Sequence, residues 1–190
     1  MMIELPTQAY LKECFDYDAE LGALIWKNRP VKHFKSVGGQ KIFNTKHAGS
    51  IAGSPHKNKC DVYMRVVLRV HGRRIQPRLH NVIWAWHTGD RFWGDLEVDH
   101  IDGNPLNNRI ENLRLVTKSQ NQKNAKRHSR NKSGIMGVMA HGRDKGKWIV
   151  RVNENSKHVH IGTFTDFFEA CCARKSAEIQ YGYSATHGRN

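Results

Sequence analysis

One stretch limits the possible folds more than any other: residues 98–124, VDHIDGNPLNNRIENLRLVTKSQNQKN, pack polar residues around a few apolar anchors. Val98 and Ile101 mark the end of one strand, and Asp102-Gly103 and Asn104-Pro105 are turn steps. Leu113 and Leu115 mark a second strand, and Thr117 is placed to cap a following helix. The spacing predicts strand, loop, strand and helix, with Asp99-His100 on the first strand and Asn121 on the helix.

Around this block the pattern changes several times. Tyr10 to Trp26 reads as a short helix and a strand, and Pro30 to Lys59 is rich in Gly, Lys, Asn and Ser, which favours loops over regular structure. Val62 to Val70 alternates with a period of two, as a half-buried strand does, and turns at His71-Gly72 into a partner at Arg73 to Gln76. Pro77 ends that strand before a helix over Leu79 to His87, with Leu79, Ile83 and Trp86 on one face. Residues 125–133 form a basic run with nothing to bury, which suits a linker lying along phosphates. Three short strands follow, Ile135 to Ala140, Trp148 to Val152 and Val159 to Phe164, then an amphipathic helix over Asp166 to Tyr181. The expected fold class is α+β, in four parts: a loop-rich β region over 1–60, a core over 61–124, a linker over 125–133, and a sheet-and-helix domain over 134–190.

Charge narrows the partners. The 31 Lys and Arg against 17 Asp and Glu give a formal +14, far beyond what solubility requires, so nucleic acid is the first partner to consider. No apolar run approaches the roughly 18 to 20 residues that span a bilayer, and residues 1–6 lack the basic and apolar regions of a signal peptide. A cytoplasmic protein without a membrane partner is expected. Cys14, Cys60, Cys171 and Cys172 contain no C-x-x-C pair, so reduced thiols are expected rather than structural zinc or a disulfide framework.

The chemistry concentrates in the central block. Hydrolysis of a phosphodiester needs a base for water, a cation for the phosphate and stabilisation of the leaving 3′ oxygen. His100 can serve as base near neutral pH, and Asp99 and Asn121 offer the hard oxygens that favour Mg²⁺ or Mn²⁺. Asp99-His100, Asn112 and Asn121, within V-D-H-I-D-G-N, N-N-R-I-E-N-L-R-L-V-T and Q-N-x-x-N, resemble the HNH signature of phage and intron-encoded homing endonucleases. The resemblance implies a ββα-metal finger in which His100 is the general base, Asp99 and Asn121 hold one divalent metal, and Asn112 orients the histidine. Asn104 and Asn108 are read as turn residues. His80, at the start of the preceding helix, is open between packing, phosphate contact and catalysis.

Residues 133–182 carry a second likeness. SGIMGV, KWIVRV, KHVHIGTF and Glu169-Ala170 resemble the ERF/APETALA type of DNA-binding domain, in which a three-stranded sheet enters the major groove. The resemblance implies outward DNA contacts from His141, Arg143, Lys147, Trp148, Arg151, His158 and His160; for Trp148 a core position is the alternative. Lys126 and Arg127 in the basic run are further candidates for phosphate contact. The expected function is a metal-dependent endonuclease acting on double-stranded DNA. A homing enzyme that nicks as a monomer is the leading form. The rivals are a non-catalytic DNA-binding regulator and a restriction-type nuclease.

Overall fold

The computed structural model describes residues 4–58, 62–70, 72–91, 94–155 and 157–189. It divides into two compact units, residues 1–115 and 116–190.

In the first unit, helix α1 (Gln8–Cys14) starts where the Thr7 hydroxyl accepts the Tyr10 N–H, and it runs directly into the antiparallel hairpin β1 (Phe15–Asp18) and β2 (Ala23–Trp26). Two more hairpins follow, β3 (Ser54–Lys57) with β4 (Val62–Arg65), and β5 (Leu68–Val70) with β6 (Arg73–Ile75). Helix α3 (Leu79–Thr88) places Leu79, Val82 and Ile83 on one face, where they meet Leu11, Phe15, Leu24, Val66 and Leu68 in a single core. Strand β7 (Leu96–His100) then pairs with β8 (Leu113–Thr117), and the division between units falls within β8. The Thr117 hydroxyl and the Gln120 side chain form a reciprocal capping box that starts helix α4 (Lys118–Gln122).

Two expectations need correction here. The loop-rich stretch after Pro30 contains an eleven-residue helix, α2 (Val37–His47), with no buried residue. Its glycines are poor helix formers, but the Ser36 hydroxyl caps Gly39, the Asn44 amide bonds both the N–H and the carbonyl of Arg29, and Phe43 packs edge-on to Trp26. Tertiary anchoring thus overrides composition. The single strand expected over Val62 to Val70 is split between β4 and β5, because the Val66 N–H turns aside to the Pro77 carbonyl at 3.2 Å. Of the expected turn that follows, His71 lies outside the described residues, as does Cys60.

The second unit contains α4 and an antiparallel sheet in the order β11-β10-β9, formed by β9 (Val138–Ala140), β10 (Trp148–Glu154) and β11 (Lys157–Phe164). Helix α5 (Phe167–Gln180), capped by Asp166, seats Ala170 against Val138 and Val150. The basic run read as a linker is strapped down. The Arg127 N–H donates to the Arg189 carbonyl and the Gly188 N–H to the Ala125 carbonyl, both at 2.9 Å. Among the described residues no helix is long and apolar enough to cross a membrane.

Beneath this strap lies a buried group with a pH consequence. Arg174 donates to Glu178 (3.0 Å) and, through Nη2, to His187 Nε2 (3.1 Å), so His187 must present a bare nitrogen and be neutral. Burial is the main force pushing His187 down to about 4; the Arg174 and Lys175 charges add to it and Glu178 opposes it. A histidine whose folded pKa lies below its unfolded value of about 6.5 binds more protons when unfolded, so stability falls as pH drops from 6.5 towards 4, by at most about 3 kcal/mol. Urea unfolding of the second unit should therefore show a lower midpoint at pH 5 than at pH 7. In His187→Asn that difference should shrink; an undiminished difference would place the titrating group elsewhere.

Candidate active site

Strand β7 ends in two buried polar residues, Asp99 and His100, at 8% and 7% exposure. The loop beyond supplies a partner for the imidazole: Asn108 Oδ1 lies 3.0 Å from His100 Nε2. The Asn108 amide is oriented by its other end, where Nδ2 donates to the Leu106 carbonyl at 3.3 Å. An oxygen facing Nε2 makes a hydrogen bond only if Nε2 carries the proton, which leaves Nδ1 as the basic nitrogen. Burial lowers the pKa of His100, with a smaller push from Arg78, while Asn108, Asp99 and Asp102 partly restore it. The ring is therefore neutral at physiological pH. His80, on the first turn of α3, meets it edge-on at 4.7 Å between ring centroids. Its own pKa is driven well below the ordinary value by burial, then by His100 and Arg78, so it contributes a neutral wall.

The loop between β7 and β8 is cross-braced. Asn112 Oδ1 accepts the Asp102 N–H (3.0 Å), and Asn112 Nδ2 donates to Asp102 Oδ1 (3.0 Å) and to the Asn107 carbonyl (2.8 Å). Burial would raise the Asp102 carboxyl, but donors from Asn104, Asn107 and Asn112 hold it below its usual value, hence ionised. Asn104 behaves as a turn residue, accepting the Leu106 N–H. Asn108 does more than turn the chain, and its contact to His100 is the feature that the sequence reading missed. A paired Asn107-Asn108 eight residues beyond a histidine was the available signal.

The N-terminal hairpin buttresses this loop. The Arg109 guanidinium donates to the Glu20 carbonyl, and Tyr17 Oη accepts the Ile110 N–H at 2.9 Å. Gly22, at φ +62°, approaches so closely that a Cβ would lie 2.5 Å from the Arg109 nitrogen and 2.8 Å from the Asn108 carbonyl carbon.

Asp99 Oδ2 accepts both Nε and Nη2 of Arg114, at 3.2 and 3.1 Å. Among the described residues no group of three or more His, Cys, Asp or Glu is poised for a metal ion. Asp99 offers a carboxylate at the end of β7 in the first unit, and Asn121 stands on α4, which belongs to the second. A carboxylate or amide oxygen is a hard donor of the kind that suits Mg²⁺ or Mn²⁺, ions that keep waters and take substrate phosphate as further ligands.

In the second unit, Arg151, His158 and His160 are exposed, with Arg151 opposite His160 and Asn153 opposite His158 across β10 and β11. Arg143 and Lys147 are exposed between β9 and β10, where Lys147 pairs with Asp144 at 3.3 Å. Trp148 differs from these: its ring packs 4.5 Å from Phe167, beside the Val138–Val150 core, the alternative position for that residue. Lys126 and Arg127 are half-buried, with Arg127 donating to the Gly134 carbonyl.

Comparison with known proteins singles out the same region. Residues 78–123 match the family described as HNH endonuclease. The chain is 42% identical over 62 residues to protein 3.8 of Escherichia phage T7, covering 33% of this chain and 50% of that one. It is 45% identical over 61 residues to the uncharacterized HNH endonuclease L560 of Acanthamoeba polyphaga mimivirus, 32% of each chain. The matches thus span half the length of one relative and a third of the other. No solved structure matches.

Proposed function

We propose that this chain, whose residues 78–123 match the HNH endonuclease family, is a divalent-metal-dependent endonuclease that hydrolyses phosphodiester bonds in double-stranded DNA. The observation that carries the reading is the buried Asp99-His100 pair, with His100 Nε2 engaged by Asn108 and the ring neutral. His100 Nδ1 takes the proton of the attacking water. Asn108 keeps the ring in the tautomer that leaves Nδ1 basic, and the Asp99 and Asp102 charges favour the imidazolium that forms. Asn112 positions the histidine indirectly, through the loop that it braces against Asp102. Asp99 and Asn121 are the residues that would each offer an oxygen ligand to Mg²⁺ or Mn²⁺. When bound, the cation neutralises charge on the phosphate and the leaving 3′ oxygen.

The exposed face of the second unit fits a duplex-binding role, with Arg143, Lys147, Arg151, His158 and His160 as contacts and Lys126 and Arg127 adding positive charge near phosphates. This is the ERF/APETALA-like part of the proposal. One centre per chain makes nicking by a monomer the expected outcome, as in a homing enzyme of phage type. Incubating the full chain with supercoiled plasmid and Mg²⁺ should yield open circles before linear product. Plasmid that is bound but stays supercoiled with either Mg²⁺ or Mn²⁺ would instead support a DNA-binding regulator.

A further inference from the structure

The first unit also has a cavity whose lining does not include His100. It is an open cleft of about 1020 Å³ beside α2. Gly39, Ile42, Phe43, Lys46 and His47 all line it, at the i, i+3, i+4, i+7 and i+8 spacing of one helical face. This explains an oddity of α2: the face carries Ile42, 72% exposed, and Phe43, half-buried, yet no residue of the helix is fully covered.

Arg29 lines the same cleft and is 4% exposed. Its guanidinium lies 5.0 to 5.7 Å from the ring centroids of Phe34, Phe43, Trp26 and Tyr10, and it donates to Tyr10 Oη and His33 Nδ1. Among the described residues no carboxylate pairs with it. Ring faces offset part of the cost of burying a cation but leave its charge uncancelled. Lys35 and Lys46, also lining the cleft, have no carboxylate partner among the described residues either, and the acidic Glu13 is taken by Lys32 and His33. The result is a mostly apolar hollow with a positive wall and rim.

We propose that this cleft binds an unpaired stretch of nucleic acid, with phosphates towards Arg29, Lys35 and Lys46 and bases against Ile42, Phe43 and His47. Cations alone would suit a duplex backbone. On a nucleic acid, the apolar wall is matched by base faces, which an unpaired strand can offer and a stacked duplex cannot. The inference does not depend on the nuclease reading, because it concerns residues remote in sequence from His100 and is read by binding alone.

The test uses the full chain in EDTA, so that any metal-dependent cutting is suppressed, with fluorescently labelled oligothymidylate and a hairpin duplex compared by anisotropy at one salt concentration. Lys35, Ile42 and Lys46 are exposed, so substitution there spares the core. Lys35→Glu/Lys46→Glu should weaken oligothymidylate binding about tenfold or more, and Ile42→Ser several-fold, as expected for lost phosphate and stacking contacts. Duplex affinity should move far less. A charge-matched control at exposed positions outside the cleft, Lys57→Glu/Arg73→Glu, should leave oligothymidylate binding close to wild type. Equal losses for both DNA forms would make the cleft a duplex backbone patch and overturn the proposal, and so would unchanged oligothymidylate binding.

Discussion

His100→Ala is expected to reduce DNA cleavage by about 10² to 10⁴-fold, the usual effect of removing a general base, while leaving DNA affinity nearly intact. The separation follows from position. His100 is buried at the end of β7 and faces Asn108 and His80, so it contributes little to a surface that phosphates could reach before the reaction. On the proposed mechanism, loss of the proton-accepting Nδ1 raises the barrier, whereas the exposed cations proposed to contact DNA are untouched. Single-turnover cleavage of a labelled duplex, measured beside its binding isotherm, separates the two quantities. A variant that still cuts within about tenfold of wild type would remove His100 from the role of base.

Gly22→Ala is expected to be nearly as damaging, although Gly22 lies almost eighty residues from His100 in sequence. Two costs combine. The positive φ disfavours any side chain by roughly 1 to 2 kcal/mol, and a Cβ pressed against the backbone of Asn108 and Arg109 adds an overpacking cost of about 1 to 3 kcal/mol. The backbone that must give way is the segment carrying Asn108, so cleavage should fall together with the unfolding midpoint of the first unit. Gly49 provides the internal control: it has φ +80°, but a Cβ added there would meet nothing within 4 Å, so Gly49→Ala should pay only the conformational cost and keep its activity. Similar behaviour of the two variants in melting and cleavage would show that the hairpin does not support the loop.

These two residues also mark the boundary of what the sequence reveals. The strand, loop, strand and helix order around residues 98–124 is legible because its determinants are local: Asp-Gly and Asn-Pro turns, apolar residues framing each strand, and a Thr117 cap three residues before Gln120. The sheet and helix over 138–180 are legible for the same reason, through alternation in β10 and the Asp166 cap. The buttress from Gly22, Glu20 and Tyr17 to residues 108–110 leaves no such mark, since neither segment reads as unusual without the other. Helix α2 is hidden because its anchors, Asn44 on Arg29 and Phe43 on Trp26, are tertiary, while its local composition argues for a loop. The basic run over 125–133 looks free for a similar reason: the carbonyl and N–H that hold it belong to Arg189 and Gly188, more than fifty residues further on. Asn108 falls between these cases, because its identity and spacing were visible but only the fold shows that its amide oxygen meets His100 Nε2.

If Asp99 and His100 carry out metal-dependent hydrolysis, a titration of metal against cleavage reveals it. Full-length protein is stripped with EDTA and mixed with a fluorescent duplex, and cleavage and binding are followed in the same samples as Mg²⁺ or Mn²⁺ is returned. Cleavage should be absent in EDTA, rise with free metal and saturate, while binding is present throughout, because in the proposed mechanism the metal serves hydrolysis and side-chain cations hold the DNA. Undiminished cutting in EDTA would contradict metal dependence, and binding without cutting at any concentration of either metal would contradict the nuclease assignment itself.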